Sequence, residues 1–267
     1  MEFATIQVDV EGPRGSIALN RPDKLNPLSN LTLTELAGAA RFFDSHPEVK
    51  VVVVSGRGRA FSAGADLAAF TAAPAQDSAP SGTTGAGASR EGADAGRRMA
   101  EAIEAMRAVT VVRLHGHVVG GGVVLASACD LRVAAEDARF SIPEVDLGIP
   151  LAWGGIPRLV REVGPALTKE LVMTCRPFGA EEARAAGFVN RVVPAAELDQ
   201  AVEDLVQLLL TKSALTLAAT KANVNAVTES MVGTGRSWND ADSLVTALRD
   251  PESRAAGAAY LDRVRKR

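Results

Sequence analysis

Three segments combine residue types that could do chemistry. The first, Arg57-Gly-Arg-Ala-Phe-Ser-Ala-Gly-Ala-Asp66, follows the apolar run Val49–Val54. In open α/β sheets ligands bind beyond the carboxyl ends of strands. Gly64 lets the backbone approach a bound group, and the amides of Ala65 and Asp66 can then face an anion. Taken alone, the segment reads more simply as a glycine-containing loop. The second, Gly116-His-Val-Val-Gly-Gly-Gly-Val-Val-Leu-Ala126, opens a helix on three glycines. Unshielded amides at such a start suit an anion, while close helix–strand packing through small residues explains them equally well. The spacing matches neither a dinucleotide fingerprint nor a P-loop. The third is Glu144, after Pro143 in apolar surroundings. Desolvation would raise its pKa and suit it to general-base work, although an isolated Glu is ordinarily a surface residue of a turn.

Other combinations are excluded. His115 and His117 are two residues apart and have no Cys or carboxylate at ligand spacing, so no metal is expected. There is no G-x-S-x-G nucleophile elbow. Trp153 beside Gly154-Gly155 reads as packing.

The elements that must position these segments follow from periodicity. Ile6, Val8 and Val10 alternate as in a half-buried strand, and Ser16–Asn20 returns after the turn Glu11–Gly15. Thr32 and Glu35 form a capping box ahead of Leu33, Leu36, Ala37, Ala40 and Phe43 at helical spacing. Val49–Val54 and Thr110–Leu114 read as strands buried on both faces, separated by a helix carrying Met99, Ile103 and Met106. Strand and helix alternate, which argues an α/β fold with a mainly parallel sheet. Beyond residue 150 the chain turns helical, with a last strand at Val189–Val193. Between Thr71 and Arg98 lie 28 residues without Val, Ile, Leu, Met or an aromatic. Such a stretch buries little apolar area to offset its ordering entropy. It reads as a mobile loop beside a site, or else as a linker; resumption of the alternation favours the loop.

Composition bounds the function classes. Of 267 residues 47% are hydrophobic but only 4% aromatic, so Ala, Val, Leu and Ile must build the core. A net charge of −3 gives no reason to expect nucleic acid. Cys129 and Cys175 show no disulfide framework, no apolar run reaches membrane-spanning length, and the first residues lack a signal-peptide pattern. A cytoplasmic protein without membrane contact is expected.

Together the segments resemble the enoyl-CoA hydratase/isomerase (crotonase) family over nearly the whole chain. Leu19-Asn-Arg-Pro-Asp-Lys-Leu-Asn26 is similar to its first signature, and Ala60-Phe-Ser-Ala-Gly-Ala-Asp-Leu67 to its oxyanion loop. Gly116–Ala126 with Cys129-Asp130 resembles its glycine helix. Pro143-Glu144 through Gly148, Gly154-Gly155 and Arg158-Leu159 resemble its catalytic segment. The resemblance implies a crotonase-like spiral of parallel ββα turns over residues 1–195, with a helical C-terminal trimerisation region over 196–267. It implies a homotrimer or a hexamer of two trimers. It also implies a coenzyme A thioester as substrate and no cofactor. Glu144 would be the catalytic acid/base, and the amides of Ala65 and Gly121 the oxyanion hole. Lys24 and Leu25 would line the adenine end of CoA, with Ala60, Ala63, Asp66 and Leu67 along the pantetheine path. The hydrophobe-free stretch would cover the acyl pocket.

One departure bears on the reaction. Hydratases of this family hold water between two glutamates; one aligns with Glu144, the other with Val124. Valine neither binds water nor moves a proton. Asp146 would lie about 7 Å from Glu144 if the chain were extended there. Dienoyl-CoA isomerases carry further acids aligning with Val124 and Ala152. A lone glutamate resembles the enoyl-CoA isomerases, so double-bond isomerisation is expected. A hydratase, or a non-catalytic acyl-CoA binder, is the alternative.

Overall fold

The N-terminal alternation folds into a hairpin. In the computed structural model, which describes residues 3–66 and 85–266, β1 (Ile6–Glu11) lies antiparallel to β2 (Arg14–Leu19). The later strands are β3 (Val51–Gly56), β4 (Val109–Leu114), β5 (His117–Val119), β6 (Leu131–Ala135), β7 (Arg139–Ser141), β8 (Phe178–Gly179) and β9 (Arg191–Val193). The helices are α1 (Asn30–Asp44), α2 (Gly85–Ala105), α3 (Gly121–Ser127), α4 (Gly155–Thr174), α5 (Ala180–Ala185), α6 (Leu198–Leu210), α7 (Ala214–Met231), α8 (Asp240–Ala247) and α9 (Pro251–Arg265).

One sheet has the order β1-β2-β3-β4-β6-β9, parallel from β2 onward. The second has the order β5-β7-β8, with β5 and β7 parallel. Each turn of the chain therefore adds one strand to each sheet and then a helix: β4, β5, α3, followed by β6, β7, α4. This is the expected spiral of ββα turns with helices following it.

The valines of β3 show why its sequence is a continuous apolar run. Val52 and Val54 join the main core, whereas Val51 and Val53 face Leu198, Val202, Leu205 and Val206 of α6. Both faces are buried, as a central parallel strand requires. Among the described residues no helix is long and apolar enough to cross a membrane.

Two local expectations are corrected. The capping box at Thr32 and Glu35 does not form. Ser29 is the N-cap instead, its hydroxyl accepting from the Thr32 amide at 3.2 Å. Glu35 accepts from the amides of Ala4 and Thr5 at 2.7 and 2.9 Å, which ties down the N-terminal segment. The second correction concerns the hydrophobe-free stretch. Its part from 71 to 84 lies outside the described residues, but α2 begins at Gly85, so the rest is helix rather than loop. Ion pairs from Arg97 to Asp94 and Glu101, each at 2.6 Å, support that helix. Apolar contact comes from its neighbours: Ala95 and Gly96 are small, and the ring of Trp153 lies on Gly96.

Candidate functional site

The loop after β3 is built on one buried side chain. Asn26 is 1% exposed and sits at φ +54°. Its amide nitrogen donates to the carbonyls of Arg57, Ala60 and Phe61 at 2.8, 2.9 and 3.2 Å. Its side-chain oxygen accepts from the Arg21 amide at 2.9 Å. The Ser62 hydroxyl donates to the Asn26 carbonyl at 2.8 Å and accepts from the Gly64 amide at 3.1 Å. The loop is also stitched to β5: Ser62 donates to His117, and Val119 donates back to Ser62, at 3.1 and 3.0 Å.

This frame sets two amides side by side. Gly64 has φ +86°, and a Cβ there would lie 2.8 Å from the Val119 carbonyl, so only glycine fits without displacement. The next residue is Ala65, and the same Cβ position is 3.7 Å from the Gly121 nitrogen. Among the described residues neither the Ala65 nor the Gly121 amide has a hydrogen-bond acceptor. Both residues line one cavity with Glu144, Val124, Ile149, Pro150, Leu151, Ala152, Trp153 and Leu244.

Glu144 is 8% exposed, and its Oε2 has no hydrogen-bond partner. Burial pushes its carboxyl up to about 7, against a smaller downward pull from its own backbone amide. The carboxyl group rests on Gly120, at φ +48°, where any Cβ would overlap Oε1. The chain after Glu144 turns rather than extends. Leu147 donates to Pro143 and Ile149 to Glu144, at 3.0 and 2.9 Å. Asp146 is thereby carried away from the cavity and pairs with Arg263 at 3.6 Å. The extended-chain geometry considered for Asp146 does not occur.

The remaining candidates lie outside the cavity lining. Lys24 ends a short 3-10 turn and is exposed, and Leu25 follows at φ +61°. The Leu25 carbonyl accepts from Ala63 at 2.8 Å, which joins these two segments. Ala60 is fully buried, and Asp66 pairs with Arg21 at 3.0 Å. Leu67 lies outside the described residues.

Sequence reasoning missed three contributors. Asn26 was visible only as the end of a motif; its position after two strand-terminal turns gave no sign that it would satisfy three carbonyls. Trp153 was read as packing, and it does pack, but it is also a wall of the cavity. Leu244, from α8, has no local signal, because its role depends on a fold-back of nearly 100 residues.

A buried carboxyl with one unpartnered oxygen, lining the same cavity as two amides that have no acceptor, can move a proton while holding an anionic oxygen. It is set on a ββα spiral of the crotonase type. The enoyl-CoA hydratase/isomerase family profile matches residues 15–266, and the chain belongs to that family. It is 31% identical over 264 residues to the crotonyl-CoA hydratase of Syntrophomonas wolfei, covering 98% of this chain and 97% of that one. It is 36% identical over 236 residues to the peroxisomal Delta(3,5)-Delta(2,4)-dienoyl-CoA isomerase of Arabidopsis thaliana, covering 84% and 83%. Among solved structures, an enoyl-CoA hydratase from Mycobacterium avium subsp. paratuberculosis superposes with a TM-score of 0.85 at 28% identity, covering 98% and 97%.

Proposed function

We propose that this family member moves the double bond of an enoyl-CoA thioester, with Glu144 as its single acid/base. The observation that carries the reading is the company Glu144 keeps. Among the described residues it is the one titratable side chain lining the cavity; Val124 and Ala152 line it too, at the positions where the family resemblance implies further acids in hydratases and dienoyl-CoA isomerases. The Glu144 carboxylate takes a proton from C2 of a 3-enoyl thioester. The electron pair moves onto the thioester oxygen, where the amides of Ala65 and Gly121 stabilise it. Loss of one such donor costs about 10²–10³ in rate. The carboxyl then returns the proton at C4, leaving the double bond between C2 and C3. These steps draw on no cofactor. Lys24, Leu25, Ala60, Ala63, Asp66 and Leu67 are proposed along the CoA path.

Hydration of a 2-enoyl thioester is the second reading, favoured by relatives named as hydratases. It requires a group other than Val124 to hold the water. Offering purified protein 3-enoyl-CoA and 2-enoyl-CoA separately, and following isomer and 3-hydroxyacyl product together, decides between them. Isomerisation predicts 2-enoyl product with little hydration. Faster formation of 3-hydroxyacyl-CoA supports the hydratase.

A homotrimer, or a hexamer of two trimers, belongs to the same reading. Its support is the apolar surface that α7 leaves open at Leu215, Val227 and Met231. Light scattering on the purified protein tests it; a monomer at micromolar concentration contradicts it.

A further inference from the structure

One ring, that of Trp153, forms part of the wall of the cavity. Trp153 sits at φ +62°, in the left-handed region that a bulky residue adopts only when its surroundings impose it. Those surroundings are two glycines on different helices. The six-membered edge of the indole lies on Gly121 and its five-membered part on Gly96, and a Cβ at either position would collide with the ring. The following peptide is fixed as well, since the Gly154 amide donates to Asp240 at 2.8 Å. Trp153 lines the cavity together with Ile149, Leu151 and Leu244, and among the described residues the space beside Glu144 amounts to about 30 Å³. That holds about one water-sized group.

We propose that Trp153 is the specificity-determining residue for the acyl group, and that the substrates are short-chain enoyl thioesters. The proposal rests on the reading that a CoA thioester lies under the amides of Ala65 and Gly121. With its carbonyl carbon there and C2 against Glu144, the tail runs toward the indole within a few carbons. A long tail has to displace a ring wedged between two backbones. A short tail fits against it and gains apolar contact without moving it.

The test uses saturated thioesters, which have no double bond to move or hydrate. Butyryl-CoA and decanoyl-CoA are titrated calorimetrically into the wild type, Trp153→Ala and Trp153→Phe, with thermal unfolding as the check on folding. The wild type is expected to bind butyryl-CoA about tenfold more tightly. Trp153→Ala is expected to strengthen decanoyl-CoA binding by about tenfold and to change butyryl-CoA little. Trp153→Phe, which keeps an aromatic ring between the glycines, is expected to shift the ratio in the same direction. Should Trp153→Ala fail to fold, the phenylalanine variant decides. Equal affinity of the wild type for both thioesters, or an unchanged ratio in the folded variants, overturns the proposal. Binding of neither thioester overturns the proposal and the CoA reading together. Indifference to chain length overturns the proposal alone.

Discussion

In the proposed reaction Glu144 concentrates the chemistry in one titration. Its carboxyl, ordinarily near 4.5, is pushed up to about 7 by burial. A base must be ionised to take a proton, so kcat/KM is expected to rise with pH through about 7 and level off above. A pH–rate profile already flat at pH 5.5 would contradict this. The same group makes stability depend on pH. Between 4.5 and about 7 the folded protein holds a proton that the unfolded chain has released. Its stabilising contribution is complete below 4.5 and is lost as pH rises to about 7. Replacing it by an uncharged isostere removes that slope. Glu144→Gln is therefore expected to be more stable than the wild type at pH 8, by about 3 kcal/mol at most, and close to it at pH 5. Urea unfolding at both pH values checks the sign. Glu144 could be singled out in the sequence because Pro143 and apolar neighbours surround it, but its isolation depends on Val124 and Ala152, which the fold brings into the same cavity.

At the scale of elements, the loop after β3 depends on Asn26. Removing its side chain leaves three carbonyls without a donor, and each buried unsatisfied group costs about 1–3 kcal/mol. Asn26→Ala is expected to destabilise the fold by about 3 kcal/mol and to lower kcat more than it raises KM, because the Ala65 amide loses its support. Denaturant unfolding and steady-state kinetics on the same preparation test this. What the sequence revealed at this scale follows burial. β3 and β4, covered on both faces, were legible as continuous apolar runs. β5, β7 and β8 are two or three residues each, and their pairings are set by the spiral rather than by local pattern. The part of α2 before Met99 was illegible for a different reason. Gly96 there accepts the ring of Trp153, so apolar contact comes from a partner about 60 residues away.

For the whole molecule, a buried lysine is one of the ties that hold the C-terminal helices. Lys221 of α7 is 9% exposed. Its ammonium contacts the Asp130 carboxylate at 2.8 Å and donates to the Ala108 carbonyl at 3.0 Å. Asp130 also accepts from the Thr110 amide and hydroxyl at 2.7 and 2.9 Å, joining the helix to β4. Lys221→Met is expected to cost about 2–3 kcal/mol, less than for a fully enclosed pair because Asp130 keeps some access to water. A loss below about 0.5 kcal/mol in urea unfolding would mean that α7 is held by its other ties, such as Glu229 to Arg161 and Asn225 to the Glu104 carbonyl. Long-range ties of this kind leave no local mark. The lysine sits in an Ala-rich helix of weak amphipathicity, and nothing around it in the sequence points to Asp130. The family motifs, by contrast, are short, ordered and local, and they carried the fold as far as its spiral.

The central claim is that Glu144 alone moves a proton at C2 beneath two amides. Its most direct test is a 3-enoyl-CoA deuterated at C2, with departure of deuterium from C2 followed by NMR in wild type and Glu144→Gln at pH 8. The expected result is departure of one C2 deuterium, to C4 or to solvent, in the wild type and a rate lower by about 10²–10⁴ in the variant, with thioester affinity nearly intact. An unchanged rate of C2 deuterium departure in Glu144→Gln would contradict the account.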